Sequence, residues 1–252
     1  VTTPFKVYIP ARYASTRLPG KLLLQIGDKP LLRHVYEEAV RSGAQEVVIA
    51  TDDGRIQEAA AGFGATVVMT SPGHESGTER LAEAVTISGE HEDMIIVNVQ
   101  GDEYGLPPGL IDQVAAILHR DSEVSMATLC EKIRDMESFH NPNVVKVVFD
   151  RNNRALYFSR AAIPGQHPGA EEGKTFSCQP CRHIGIYAYR VGFLRRYARM
   201  DACDLEKSER LEQLRVLYNG FGIHVEEACL DTGLEVNTQA DLERARQSES
   251  GN

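Results

Sequence analysis

"EVVIATDDGRIQEAAAGFGATVVMT", residues 46–70, is the stretch that decides the fold. Residues 46–50 form a short apolar run rich in β-branched side chains, the pattern of a strand buried on both faces. Residues 53–62 follow as a helix, and residues 66–69 form a second apolar strand. Two strands joined by one helix run parallel, because only a crossover returns the chain to the same edge of a sheet. The pattern continues outward. Upstream, residues 6–9 are β-rich, and Leu31, Leu32, Val35 and Ala39 recur at helical spacing within 30–42, ending at Gly43. Downstream, residues 78–88 read as a helix and "MIIVNV", 94–99, as a strand. This βαβα order predicts an α/β protein with a mostly parallel, Rossmann-like central sheet and helices on both faces.

Beyond residue 107 the pattern is mixed. Helices are predicted over 107–119, 191–199, 210–219 and 239–247, and strands over 124–129, 144–150, 155–159, 184–189 and 224–228. Several of these strands follow one another without a helix, which predicts antiparallel pairing. The expected organisation is one domain over 1–252 with a smaller mixed α+β part at about 125–200. Residues 164–180, rich in Gly, Pro and charge, read as a long mobile loop, either a lid or disordered.

The 252 residues are 42% hydrophobic and 25% charged, as in globular proteins generally. No apolar run approaches the roughly 20 residues that span a bilayer, so no membrane insertion is expected. The first residues lack the pattern of an export signal, which makes the expected location the cytoplasm. A net charge of −9 disfavours a general nucleic-acid surface and leaves room for a local cationic pocket. The five cysteines are odd in number and irregularly spaced, arguing against a disulfide framework. Cys178 and Cys181 form a CxxC with no second pair to complete a zinc site, so reduced thiols are expected.

Three features carry chemistry. "IPARYASTRLPGK", 9–21, follows the first strand and holds Arg12, Arg17 and Lys21 with the hydroxyls of Ser15 and Thr16. It matches neither GxxxxGK[ST] nor GxGxxG, so neither a P-loop nor a dinucleotide site is indicated. Its cations and exposed backbone N–H groups suit a triphosphate, although a solvated basic loop has the same composition. Asp102 in "VQGDE" ends the 94–99 strand, where a carboxylate can hold Mg2+ beside phosphate oxygens or simply shape a turn. "HESGTER", 74–80, offers the N-terminus of a helix, an anion seat or an ordinary N-cap. In open parallel sheets ligands bind beyond the carboxyl ends of strands near the reversal of strand order, so the first and second of these loops should face one crevice.

"IPARYASTRLPGK", "SGTERL", "NVQGDE", "NPNVVKVV", "ALYFSRAAIP", "RHIGIYAYR" and "LEQLR" occur in this order over nearly the whole chain. Together they resemble the 3-deoxy-manno-octulosonate cytidylyltransferase (CMP-Kdo synthetase) family. The resemblance implies a nucleotidyltransferase fold, a homodimer and Mg2+-dependent transfer of CMP from CTP to the hydroxyl of the acidic sugar Kdo for lipopolysaccharide synthesis. It assigns the triphosphate to Arg12, Ser15 and Lys21, with Arg17 nearby, and cytosine and its surroundings to Ser76, Arg80 and backbone groups of the first loop, among them Ala11. Gln100 and Asp102 stand between the substrates, Asp102 on the metal, and catalysis rests on Arg12, Lys21 and Asp102. Arg160, His183, Tyr187, Glu212 and Gln213, with Gln100, would line the sugar pocket. Without the resemblance, these would read as a surface ion pair (Arg160), a core histidine (His183) and an exposed helix face (Glu212, Gln213).

Two positions depart from the family. "GLEVNTQADL" carries Asn237 where relatives have a metal-binding Asp; either Glu235 compensates or the metal site has changed. "GDEYGL" replaces the usual Pro by Tyr104, followed by Gly105. Two alternatives accompany these departures: the same transfer to another acid, such as an amino-substituted Kdo or a phosphonate, or a CTP-binding protein that has lost catalysis.

Overall fold

The computed structural model describes residues 4–15, 17–74, 76–165, 176 and 178–250. Thr16 and most of the expected loop at 164–180 lie outside them. In chain order the elements are β1 (Phe5–Ala11), a single 3-10 turn (Lys21–Leu23), β2 (Gln25–Ile26), β3 (Lys29–Pro30), α1 (Leu31–Val40), β4 (Val47–Thr51), α2 (Gly54–Gly62), β5 (Thr66–Met69), α3 (Gly77–Ile87), β6 (Ile95–Asn98), β7 (Glu103–Tyr104) and α4 (Pro108–Arg120). The second half continues with β8 (Met126–Lys132), α5 (Met136–His140), β9 (Lys146–Phe149), β10 (Ala155–Ser159), β11 (Cys181–Arg190), α6 (Val191–Tyr197), α7 (Asp204–Glu209), α8 (Gln213–Tyr218), β12 (Ile223–Glu227), β13 (Leu234–Glu235) and α9 (Gln239–Ser250).

The continuous apolar runs form the parallel centre. Every residue of β4 and β6 is buried, as a strand covered by helices on both faces requires. β5, β4, β1 and β6 lie side by side and parallel. β11 then runs antiparallel to β6, Tyr187 opposite Asn98, and antiparallel to β8 on its other edge; β12 adds to β8 in parallel. A register shift between Ile184 and Tyr187 divides β11. Its later half pairs with β6, and its first residues pair with β9, Cys181 opposite Val147. The β9–β10 hairpin therefore forks away from the main sheet.

Each face has its own core. Leu31, Val35, Leu110, Ile111, Val114 and Leu242 pack against Ile9, Val97 and Leu129 on one face. Leu81, Val85, Leu194 and Leu214 pack against Tyr8, Ile96 and Tyr189 on the other. The chain leaves β1 toward β4 on one side and reaches β6 on the other, so strand order reverses between β1 and β6. Their carboxyl ends, Ala11 and Asn98, open the crevice.

Two short helices, α5 and α7, and the β2–β3 and β7–β13 ladders have no periodic signal in the sequence. The helix expected over 210–219 begins at Gln213, because Arg210 adopts φ 53° and ψ 49° and ends α7. Among the described residues no helix is long and apolar enough to cross a membrane.

Candidate active site

The loop after β1 is shaped by Gly20. It sits at φ 65°, where glycine is favoured, and a Cβ there would crowd the Tyr13 side chain at 3.1–3.3 Å. The Tyr13 ring also carries the Arg55 guanidinium, 3.3 Å from its centroid. Asp53 holds Arg55 at 2.6 and 2.9 Å and accepts the Arg55 backbone N–H at the start of α2. The hydrogen bond from Arg55 brings the Asp53 carboxyl down to about 2. The first βαβ unit thus braces the cationic loop.

Lys21 opens the 3-10 turn and reaches across to the segment after β6. Its Nζ pairs with Asp102 and donates to the Asn237 Oδ1 at 3.1 Å and the Val236 carbonyl at 3.2 Å. Arg17 donates to the same Asn237 oxygen at 2.7 Å. Asn237 comes to this place because β13 pairs with β7 and the Val236 N–H bonds the Asp102 carbonyl at 2.9 Å. Residues more than 200 apart in sequence therefore meet on one ammonium group.

Below this lies a pair of guanidinium groups. Arg80 is fully buried; its Nη1 donates to Thr70 at 2.6 Å and lies 3.3 Å from Asp52. Its Nε and Nη2, and the Nη2 of Arg12, are buried with no hydrogen-bond partner among the described residues. Burial, and then the charge of Arg80, lower the pKa of Arg12. Half-buried Arg12 and buried Arg80 thus keep shielded donors unspent, which favours an anion there, since a buried donor without an acceptor is costly.

A cavity of about 760 Å³ opens above them. Arg12, Ser15, Arg17, Lys21, Ser76, Gln100, Asp102 and Glu212 of the expected set line it; Arg80 lies beneath it and Ala11 at the end of β1. Ser76 caps α3, its Oγ accepting from Glu79 N–H at 3.1 Å, and Ser15 Oγ accepts from Leu18 N–H at 3.4 Å. Glu75 of the same segment lies outside the described residues. Charged cavity-lining residues that sequence reasoning did not single out are Glu79, Glu206, Lys207, Arg210 and Arg215. Glu79 and Arg215 stand inside quoted blocks; the α7 residues had no signal. The lining holds six cations against four carboxylates in a chain of net charge −9.

The expected sugar residues follow one another away from this cavity. Glu212 is shared with a narrow crevice that also touches Tyr187 and Gln213. Burial raises the Glu212 carboxyl above its usual range, against hydrogen bonding from Thr78 and Ser76. Tyr187 lies opposite Asn98, which accepts from Gln100 at 3.1 Å. The His183 ring is 5.2 Å from Tyr187, with Nε2 3.0 Å from the Thr128 hydroxyl; burial lowers its pKa to about 3, so it is a neutral imidazole. Arg160 is farther out and donates to the Glu209 and Pro142 carbonyls at 2.7 and 3.0 Å. Among the described residues the side chain of Arg160 bonds backbone carbonyls rather than an acid, and Gln213 is 3% exposed rather than on an open helix face.

Lys146, from "NPNVVKVV", holds the corner. Fully buried, it donates to the carbonyls of Asn141, Val144 and Arg160 at 2.9, 2.6 and 2.7 Å. Lys146→Met leaves three carbonyls without their donor while removing a desolvated charge, and is expected to lower stability by about 2–3 kcal/mol in urea unfolding. A loss below about 0.5 kcal/mol would show that the corner holds without it.

Known proteins resemble this chain over nearly its whole length. Residues 7–228 match the family described as "Cytidylyltransferase". A 3-deoxy-manno-octulosonate cytidylyltransferase from Thioalkalivibrio sulfidiphilus is 53% identical over 241 residues, 95% of this chain and 96% of that protein. Its counterpart in Francisella philomiragia is 50% identical over 240 residues, with the same coverage. The solved structure of a CMP:2-keto-3-deoxy-manno-octonic acid synthetase complexed with CTP superposes with a TM-score of 0.89 at 40% identity, covering 99% of both chains. The chain belongs to the cytidylyltransferase family.

Proposed function

We propose that this protein transfers a cytidylyl group from CTP to the hydroxyl of 3-deoxy-manno-octulosonate, releasing pyrophosphate and supplying CMP-Kdo for lipopolysaccharide synthesis in the cytoplasm, as a homodimer. The observation that carries the reading is the neighbouring guanidinium groups of Arg12 and Arg80, whose buried donors are unspent, at the switch point of a sheet closely similar to that of a CTP-bound synthetase.

In the reaction the acceptor hydroxyl oxygen bonds to the α-phosphorus as the bond from that phosphorus to the bridging oxygen of pyrophosphate breaks. Arg12 and Lys21 meet the charge that collects on the phosphate oxygens, and Arg17 and Ser15 hold the outer phosphates in line. Gln100 and the Glu212–Tyr187–His183 series orient the sugar, His183 and Tyr187 as neutral hydrogen-bonding groups. Positioning and charge stabilisation account for most of the acceleration in transfers of this kind.

A divalent ion fits the donor set. Asp102 and the Asn237 Oδ1 converge on one cationic group, the Lys21 ammonium, so their oxygens are arranged to share a cation. Mg2+ bound by Asp102, with the weaker amide oxygen of Asn237, would supply charge neutralisation between triphosphate and acceptor. Glu235, in contrast, stands opposite Glu103 in the β13–β7 ladder. Asn237→Asp is expected to lower the half-saturating Mg2+ concentration on the order of tenfold, read by calorimetry and by pyrophosphate release; an unchanged requirement would show that the amide suffices.

Titration calorimetry with Mg2+ tests the whole reading. CTP should bind in preference to ATP, GTP and UTP, and pyrophosphate should appear when Kdo is added. Equal binding of all four nucleotides, or no release with Kdo, would reject it.

A further inference from the structure

The wall of the cavity facing the cationic loop is made by α7 and the residues after it, and it carries two cations outside the proposed roles. Lys207 and Arg210 both line the cavity. Among the described residues neither side chain has an ion-pair or hydrogen-bond partner. Two carboxylates beside them are already engaged. Glu206 takes Arg215 at 2.6 and 2.7 Å, and Glu209 accepts from Ser159 and the Arg160 N–H at 2.7 and 2.9 Å. Arg215 also bridges to Glu79 at 3.2 Å. Among the described residues no carboxylate pairs directly with Lys207 or Arg210, with Asp204 and Glu212 the remaining acids on that wall.

The backbone supplies an independent observation. Arg210 is one of two non-glycine residues with positive φ among those described, the other being Asn153. Glycine ends a helix in this conformation without steric penalty, and a long side chain does so at a disadvantage. Keeping an arginine at such a turn makes sense where the guanidinium is needed, and strained backbone gathers at ligand sites.

We propose that Lys207 and Arg210 form a second oxyanion subsite, opposite the cationic loop, that binds an anionic group of one of the reactants. This rests on the transfer reaction proposed above, which offers two sources of that chemistry: the carboxylate of the acid acceptor, and the outer phosphates that leave as pyrophosphate. Both residues are exposed, and two cations sharing one oxyanion attract it more strongly than either does alone.

The test uses Arg210→Gly and the double variant Lys207→Ala/Arg210→Gly. Glycine suits the left-handed turn, so the melting temperature should stay level or rise, and weaker binding then reflects lost charge. Calorimetric titrations of the whole protein with inorganic pyrophosphate and, separately, with Kdo should show about a tenfold weaker dissociation constant for one of them in the double variant. Arg210→Lys should recover part of it. A change confined to Kdo assigns the carboxylate; one confined to pyrophosphate assigns the outer phosphates. A double variant that binds both anions as the wild type does, or a wild type that binds neither, overturns the subsite. Because both readouts are binding, wild-type protein that bound an anion without turnover would reject the proposed reaction and leave the subsite standing.

Discussion

Lys21→Ala and Asp102→Ala should each lower turnover by about 10²–10³-fold, the loss typical of removing one fixed group that stabilises charge developing in a transition state. The two side chains pair in a mostly shielded place, 13% and 17% exposed. Each truncation has its own consequence. Without Lys21, the Asp102 carboxylate and the Asn237 amide keep their acceptors but lose the shared ammonium. Without Asp102, Lys21 keeps only the neutral oxygens of Asn237 and Val236. Single-turnover pyrophosphate release at saturating CTP and Mg2+ measures the effect, and far-UV circular dichroism with thermal melts shows that the fold persists. A rate within about threefold of wild type for either variant would remove that residue from the reaction.

The second large effect is on stability against pH. Glu103 follows Asp102, but its carboxyl points inward, with Oε1 3.3 Å from where a Cβ on Gly185 would stand. Burial, then the charges of Glu235 and Asp102, push it up to about 8. A carboxyl raised on folding is protonated in the folded state and ionised in the unfolded one between about pH 4.5 and 8. Its contribution is complete below the lower value and lost as pH rises through the upper. His183 opposes this. Lowered to about 3 by burial, it gives stability present above pH 6.5 and lost as the pH falls. His224, also lowered by burial, adds in the same direction.

Between pH 5 and 6.5 the two effects largely cancel, and above 6.5 Glu103 acts without that opposition. The wild type should therefore lose roughly 2 kcal/mol between pH 6.5 and 8. Glu103→Gln mimics the protonated carboxyl and should remove Glu103's share of that loss, leaving only what Glu212, also raised by burial, contributes. The same variant should expose the histidine effect as a fall of about 2 kcal/mol from pH 6.5 to 5. Denaturant midpoints across this range decide the matter: a variant with the wild-type slope above pH 6.5 would show that Glu103 is ionised in the folded protein.

Much of the molecule was legible because its signals are local. The central parallel strands β4 and β6 read as unbroken apolar runs since both their faces are covered, and α1 shows Leu31, Leu32, Val35 and Ala39 on the side it buries. Elements below two turns, such as α5 and α7, escape this reading because too few residues span a period. Arg210 shows the same limit: its left-handed turn divides what looks like one helix, and no glycine marks the place.

Sequence by itself determined the α/β class, the loop and strand ends that bear chemistry, and the cationic set Arg12, Arg17 and Lys21. These depend on contacts between near neighbours and on the alternation of strand and helix. Only the tertiary structure decided that Asn237 would meet Lys21 and Arg17, that Arg80 would lie beneath Arg12 rather than in the open cavity, and that α7 would bring Lys207 and Arg210 to the opposite wall. Those outcomes follow from long-range pairing, β13 on β7 and α7 against the end of β10, whose partners are far apart in the chain and leave no periodic trace along it.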